Sequence, residues 1–251
     1  MCWTLQFFTI TLPCERILTP QGEPQVVGSH MQALISDPRS VRSRTVDGLG
    51  ALGIPAPPEQ FPLPFPSGQM PRLRPRVHLE ARAAILNVVQ ARVFDMPEEL
   101  AMRWLLDAHV LDHLAPDEWG FIACGRGERP RYADQLESLY TVAWLIGLVD
   151  HLDPAVACAE ELPELLPDLR RPETFSDWRD RQLTPTRDAG VVAEMLDLYY
   201  CLDFVCDQAR RAGQAPPSGV DDCLVWHRRW ALEWAVVFNE ERPVHWDEVR
   251  L

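Results

Sequence analysis

RYADQLESLYTVAWLIGL, running from Arg131 to Leu148, carries more apolar surface than one stripe of a helix can hold. At about 100° per residue, Leu136, Leu139, Tyr140, Ala143, Trp144, Ile146, Gly147 and Leu148 cover well over half the circumference. Asp134, Ser138 and Thr141 are left as a narrow polar edge. A helix apolar nearly all round belongs inside a core, so the stretch predicts a central buried helix. Glu137 falls beside Trp144 at the margin of the apolar arc, where a carboxylate must reach water or find a partner.

Two long helices are expected downstream, at about Asp188 to Ala212 and Asp221 to Phe238. In the first, Val191, Met195, Leu198, Leu202, Val205 and Cys206 form the predicted buried side, and Leu196, Tyr199, Tyr200, Asp203 and Asp207 share another strip. In the second, Trp226, Trp230 and Trp234 recur at steps of four. Leu224, Ala231, Leu232, Ala235 and Val236 claim most of the remaining circumference, which makes this helix central too. Between the central helix and these two, Asp150 to Pro185 is acidic and punctuated by proline, predicting short helical pieces on the surface.

Upstream, Asp37 followed by Pro38 is a helix entrance, with the carboxylate as cap and proline where its missing N–H does no harm. That helix should reach about Leu52 and stop at Gly53. Ile54 to Pro75 holds prolines at 55, 57, 58, 62, 64, 66, 71 and 75, which predicts an extended strap pinned by Phe61 and Phe65. Val77, Ala81, Ala84, Ile85, Val88 and Val89 then recur at helical spacing from Pro75 to about Val93. Asp95 with Glu98 resembles a capping box for a helix carrying Leu105, Ala108 and Leu111 to Leu114. Ala115 to Trp119 opens a short helix, and Gly125, Gly127 and Pro130 form the loop into the central one.

The fold class is therefore mainly α: one helical domain over residues 31–251, with two or three central apolar helices and a proline-rich strap at 54–75. Residues 1–30 form an N-terminal extension, read either as a short β-hairpin, from the alternation in WTLQFFTITL, or as sequence preceding a start at Met31.

Composition narrows the function classes. A chain of 251 residues with 47% apolar content can bury a sizeable core, and its formal charge of −13 argues against tracking nucleic-acid phosphates. A basic protein partner suits that charge better. All 24 basic residues are arginine, which nucleotide bias explains without functional meaning. Seven cysteines, widely spread and without a C-x-x-C, suggest neither a disulfide framework nor a zinc ribbon. No apolar run approaches the roughly 20 residues of a membrane span, and the opening lacks the features of a signal peptide. The expected location is the cytoplasm.

The segments LESLYTVAWLIGLVDHL, EMLDLYYCLDFVCDQAR and HRRWALEWAVV, with the closing WDEV, resemble in order and spacing the bacterial domain-of-unknown-function family numbered 4272, over roughly Asp37 to Leu251. The resemblance places the family's central glutamate and tryptophan on Glu137 and Trp144, a later arginine on Arg228, and a terminal pair on Trp246 and Asp247. Departures are Cys201 and Asp203 for an arginine and a histidine, His227 for a glutamate and Glu233 for an asparagine. A polar network shared by the family must be rewired here. The resemblance implies a helical fold and no activity.

Glycine-rich phosphate loops, dinucleotide fingerprints and G-x-S-x-G are missing from the sequence. His109, Asp112 and His113 stand at helical spacing, yet lack the glutamate and third helix ligand of a metal motif, so a solvated face is expected and neither metal nor cofactor is assigned. The candidate binding set is Glu137, Trp144, Asp203, His227, Arg228, Arg229 and Glu233, drawn from three predicted core helices. It reads either as a structural polar network or as a pocket. Two function classes remain: a non-enzymatic interaction or accessory protein of the immunity type with an acidic surface, and a small-molecule binder or enzyme using that set. No catalytic residue is assigned.

Glu137 and Arg228 or Arg229 are expected to pair, because each would lose water where two helices apolar nearly all round meet.

Overall fold

The computed structural model describes residues 37–65, 71–171, 173–182, 184–217, 219–237 and 244–251. The expected N-terminal hairpin lies outside them. Helix α1 spans Pro38–Ala51, and the Asp37 side chain caps it by accepting from the Ser40 amide at 3.1 Å. Gly53, at φ 69°, takes the left-handed conformation that turns the chain out of the helix. The strap follows. Phe61 stacks on Tyr200 with ring centroids 4.7 Å apart and lies 4.3 Å from Phe204, while Phe65 is buried. Arg42 of α1 donates to the carbonyls of Phe61 and Pro62 and grips Asp197 through Nε and Nη2. One guanidinium thereby ties the strap to the core.

Helix α2 (Arg76–Val93) is buried over most of its length. Helix α3 (Glu98–Asp107) begins after Pro97, not in a capping box at Asp95. Asp95 sits at φ 63° in the preceding turn and pairs with Arg129. The helix also stops earlier than the sequence suggests: His109 takes φ 55° and Leu111–His113 is a 3₁₀ turn. His109, Asp112 and His113 therefore do not share a helical face. Helix α4 (Pro116–Cys124) starts with Glu118 accepting from the Ala115 amide at 2.9 Å.

The predicted central helix is two helices. α5 (Arg129–Ala133) and α6 (Leu136–Leu145) meet at a turn through Asp134 and Gln135. Within α6, Ser138 and Thr141 are fully buried rather than forming a polar edge. Ser138 Oγ donates to the His227 carbonyl at 2.8 Å and Thr141 Oγ1 to the Glu137 carbonyl at 2.9 Å. Such small hydroxyls can be buried because each finds a backbone acceptor. At the other end of α6, Gly147 stands at φ 81°, and a β-carbon there would lie 2.5 Å from the Pro185 carbonyl oxygen. Arg187 covers the exposed carbonyls by donating to those of Trp144 and Val149.

Short helices α7 (Leu162–Leu165) and α8 (Phe175–Arg181) follow, and they are seated on the core rather than lying loose on the surface. Leu162, Leu166 and Trp178 are all but inaccessible. Helix α9 (Ala189–Arg211), capped by Asp188, buries Val192, Ala193, Leu196, Tyr199, Cys201, Leu202, Val205 and Cys206. Its buried face is thus rotated from the expected one, and Val191 is 47% exposed. Helix α10 (Asp222–Ala235), capped by Asp221, runs into strand β2 (Val236–Val237), which pairs antiparallel with β1 (Arg72–Leu73) in the register Arg72 with Val237 and Leu73 with Val236. The expected extension of this helix to Phe238 is cut short by that pairing. In space the packing runs α2, α6, α10, α9, α1, so α6 and α10 form the centre. The protein is mainly α, with two central apolar helices. Among the described residues, no helix is long and apolar enough to cross a membrane.

Candidate functional site

Where α6 crosses α10, Arg228 points into the core with no exposed side-chain surface. Each of its five N–H donors has an acceptor. Nε and Nη2 reach Glu137 Oε2 at 2.9 and 2.7 Å, Nη1 reaches the Asp153 carbonyl at 2.7 Å and Tyr199 Oη at 2.9 Å, and Nη2 also reaches the Val156 carbonyl at 2.8 Å. The other carboxylate oxygen of Glu137 accepts the Cys158 amide at 2.9 Å, and Tyr199 Oη donates to the Leu152 carbonyl at 3.3 Å. The pair predicted from sequence is present, and it does more than neutralise two charges: it fastens the 152–158 segment to the helix crossing. Burial drives the Tyr199 hydroxyl pKa up, against the opposing pull of Arg228.

The rest of the sequence-derived set divides. Arg229 pairs with Asp203, stacks 4.6 Å from the Tyr200 ring centroid, and keeps its Nε 3.5 Å from Glu233, too far for a good hydrogen bond. Burial raises the Glu233 pKa, with Arg229 pulling the other way. Trp144 lies under Arg187, whose guanidinium carbon is 5.5 Å from its ring centroid. Glu137 and Arg228 are thus one cluster, Asp203, Arg229 and Glu233 a second, and Trp144 belongs to neither.

His227 faces elsewhere. It lines a cavity of about 500 Å³ formed by the α5–α6 turn, the start of α4, one side of α10 and the C-terminal segment, with Asp117, Glu118, Tyr132, Asp134, Gln135, Trp226, Trp230, Trp246 and Asp247 among its walls. The indoles form a continuous wall. Trp226 and Trp230 have ring centroids 5.0 Å apart, Trp230 and Trp246 6.4 Å, and Trp230 Nε1 donates to the Trp246 carbonyl at 3.1 Å. Trp226 is 38% exposed at the rim. Glu118 is not free to meet a ligand, because Arg82 holds it at 2.6 Å.

Two polar groups in this cavity are unspent. Gln135 Oε1 is buried and accepts no hydrogen bond. The His227 imidazole, in a residue only 8% exposed, makes no hydrogen bond to the described residues, and burial pushes its pKa down to about 4 despite the nearby Asp134. Buried polar groups normally have partners, and of these two Gln135 Oε1 is the one buried without any. Asp134, Cys223 and His227 also bring one ligand atom each to within 4.8 Å of one another, making them the group among the described residues able to hold a metal ion.

Sequence reasoning missed this cavity. Asp134 and Gln135 read as part of a continuous helix, and only the break between α5 and α6 brings them to the cavity wall. Trp246 and Asp247 were within reach, as the terminal pair carried over from the resemblance.

A bundle with two central helices and an indole-walled cavity beside one of them is the class that fold and geometry define. The chain belongs to the family described as Domain of unknown function (DUF4272), which matches residues 41–249. No curated protein and no solved structure matches it.

Proposed function

We propose that the protein binds a small heteroaromatic molecule in the cavity between the α5–α6 turn, α10 and the C-terminal segment. The observation that carries this is the buried, unpartnered Gln135 Oε1 in a residue lining a cavity walled by three indoles. An acceptor with no donor, beside flat apolar faces, suits a ligand with an N–H or O–H on one edge and a planar body. The volume of about 500 Å³ lies within the range of ligand sites. The Glu137–Arg228 clamp positions α10 and contributes no direct contact to the ligand.

A panel of bicyclic heteroaromatic fragments, screened by thermal shift and ligand-observed NMR, tests the reading. N–H-bearing fragments should bind, and Trp226→Ala, at a rim position, should weaken them at least tenfold while leaving the melting temperature within a few degrees. A panel without binders, or binding untouched by Trp226→Ala, would contradict it.

A second reading, an immunity-type accessory protein docking a basic partner, is supported by the charge of −13 and by the exposed Phe94, Leu100 and Leu106 around α3. It requires salt-sensitive binding to a basic protein that Phe94→Asp abolishes; affinity indifferent to both salt and that substitution would remove it. A cytoplasmic setting accords with either reading, supported by the five described cysteines being unpaired.

A further inference from the structure

We propose that Asp134, Cys223 and His227 form a three-ligand site for a borderline divalent transition ion, zinc above all, whose fourth position opens into the tryptophan-lined cavity. The inference goes beyond organic-ligand binding and stands whether or not a heteroaromatic molecule enters.

Two elements of the fold converge to make the site. Cys223 and His227 are four residues apart in the first turns of α10, so they project from one face of that helix. Asp134 comes from the turn that separates α5 from α6, across the cavity mouth. Their ligand atoms lie within 4.8 Å of one another. A tetrahedral ion with bonds of roughly 2.0 to 2.3 Å holds its ligands about 3.3 to 3.8 Å apart. Closing that gap takes about an ångström of side-chain adjustment. Asp134 and Cys223 are both exposed and have room to make it, while buried His227 supplies the fixed point.

The second line of argument is independent of that spacing. His227 is nine-tenths buried, lines the cavity and has no protein hydrogen bond, and the exposed Asp134 carboxylate stands beside it on the same cavity. A ring nitrogen that no protein group engages, and that is still open to the cavity, is available as a ligand. Asp221, which caps the same helix, adds negative charge near the site, while Asp222 is paired with Arg210.

The ligand chemistry selects the ion. One thiolate, one imidazole and one carboxylate are a mixed set that suits zinc and cobalt and is poor for magnesium or calcium, which want oxygen ligands. Three protein ligands with a vacant fourth position are the arrangement of reactive rather than purely structural zinc sites. Asp134 and His227 line the cavity while Cys223 does not, so the open coordination position faces the indoles.

The test uses the full chain, purified without a histidine tag and stripped by a chelator, with Zn²⁺ and Co²⁺ as probes. Zinc should bind one to one in a calorimetric titration against a competing chelator. Cobalt should give tetrahedral d–d bands and a thiolate-to-metal charge-transfer band. Cys223→Ser and Asp134→Asn, both at exposed positions, should each weaken zinc at least tenfold without a matching loss of melting temperature. Cys223→Ser should erase the charge-transfer band, and Cys124→Ser should keep it. Substoichiometric binding, an octahedral cobalt spectrum without the band, or affinity unchanged in both variants would each overturn the proposal.

Discussion

At the scale of single residues, arginine is used as a fork for backbone oxygens. Arg42, Arg74, Arg76, Arg82, Arg92, Arg181, Arg187 and Arg228 each donate to at least one main-chain carbonyl, most of them far away in sequence. A lysine ammonium could not span two or three acceptors set in one plane. An all-arginine composition thus supplies a side chain that the fold exploits. Arg228 is the extreme case. Glu137→Ala leaves its buried charge uncompensated and should cost about 3 to 5 kcal/mol, lowering the melting temperature by on the order of 10 °C. Glu137→Gln should cost less, since the amide oxygen still accepts one bond. Replacing both Glu137 and Arg228 by methionine should not restore stability, although buried ion pairs often tolerate such a swap. The carbonyls of Asp153 and Val156 would lose their donor. A double variant that melts like wild type would reduce the clamp to a simple ion pair. The Glu137–Arg228 pairing was legible because a carboxylate and a guanidinium each stood on a helix that left it little access to water. Tyr199 and the 152–158 carbonyls were not, because nothing in a helical period says which loop returns to a helix crossing.

At the scale of elements, periodicity located the helices and misjudged how they end and rotate. α6 looks continuous with α5 because no glycine or proline marks the turn, and one weak helix former, Asp134, beside a good one, Gln135, does not break the apolar period. The buried face of α9 was misassigned because it packs on both α1 and α10, so two stripes compete and the more polar one, holding Asp197, goes inside. Asp197 can be buried because Arg42 reaches it from α1. The strap depends on the same contact. Asp197→Ala should release Arg42 from Phe61 and Pro62, so limited proteolysis between 55 and 64 should quicken several-fold; an unchanged cleavage rate would show that the phenylalanines hold the strap unaided. Gly147 offers a second check on an element boundary. Gly147→Ala must take a left-handed φ and push against the Pro185 carbonyl, and should destabilise by about 2 kcal/mol in a denaturant titration. A shift under 0.5 kcal/mol would mean the 184–187 segment yields freely.

At the scale of the whole molecule, acidic charge dominates, and among the described arginines Arg74, Arg82, Arg228 and Arg229 are buried while most of the others are exposed. Most arginines are paired with a carboxylate or a carbonyl, leaving no continuous basic face among the described residues. Binding to a generic DNA duplex should stay undetectable at moderate salt, where micromolar, salt-sensitive affinity would contradict the charge argument. The fold class was legible from the apolar content of two helices, and the candidate site was legible only as a neighbourhood. His227 was picked for its sequence company with Arg228 and Glu137, yet it faces the opposite side of α10, into a cavity whose walls come from four separate parts of the chain.

The structural clamp and the proposed binding cavity lie apart, and the indole Nε1–H signals of the nine tryptophans can report directly which of them a ligand meets. With a bound N–H heteroaromatic fragment, signals from Trp226, Trp230 and Trp246 should shift in nitrogen–proton correlation spectra, assigned by Trp→Phe variants, while those of Trp144 and Trp178 stay in place. Shifts led by Trp144, with Trp226 and Trp230 unmoved, would put the ligand on the clamp side of α6 and contradict the account.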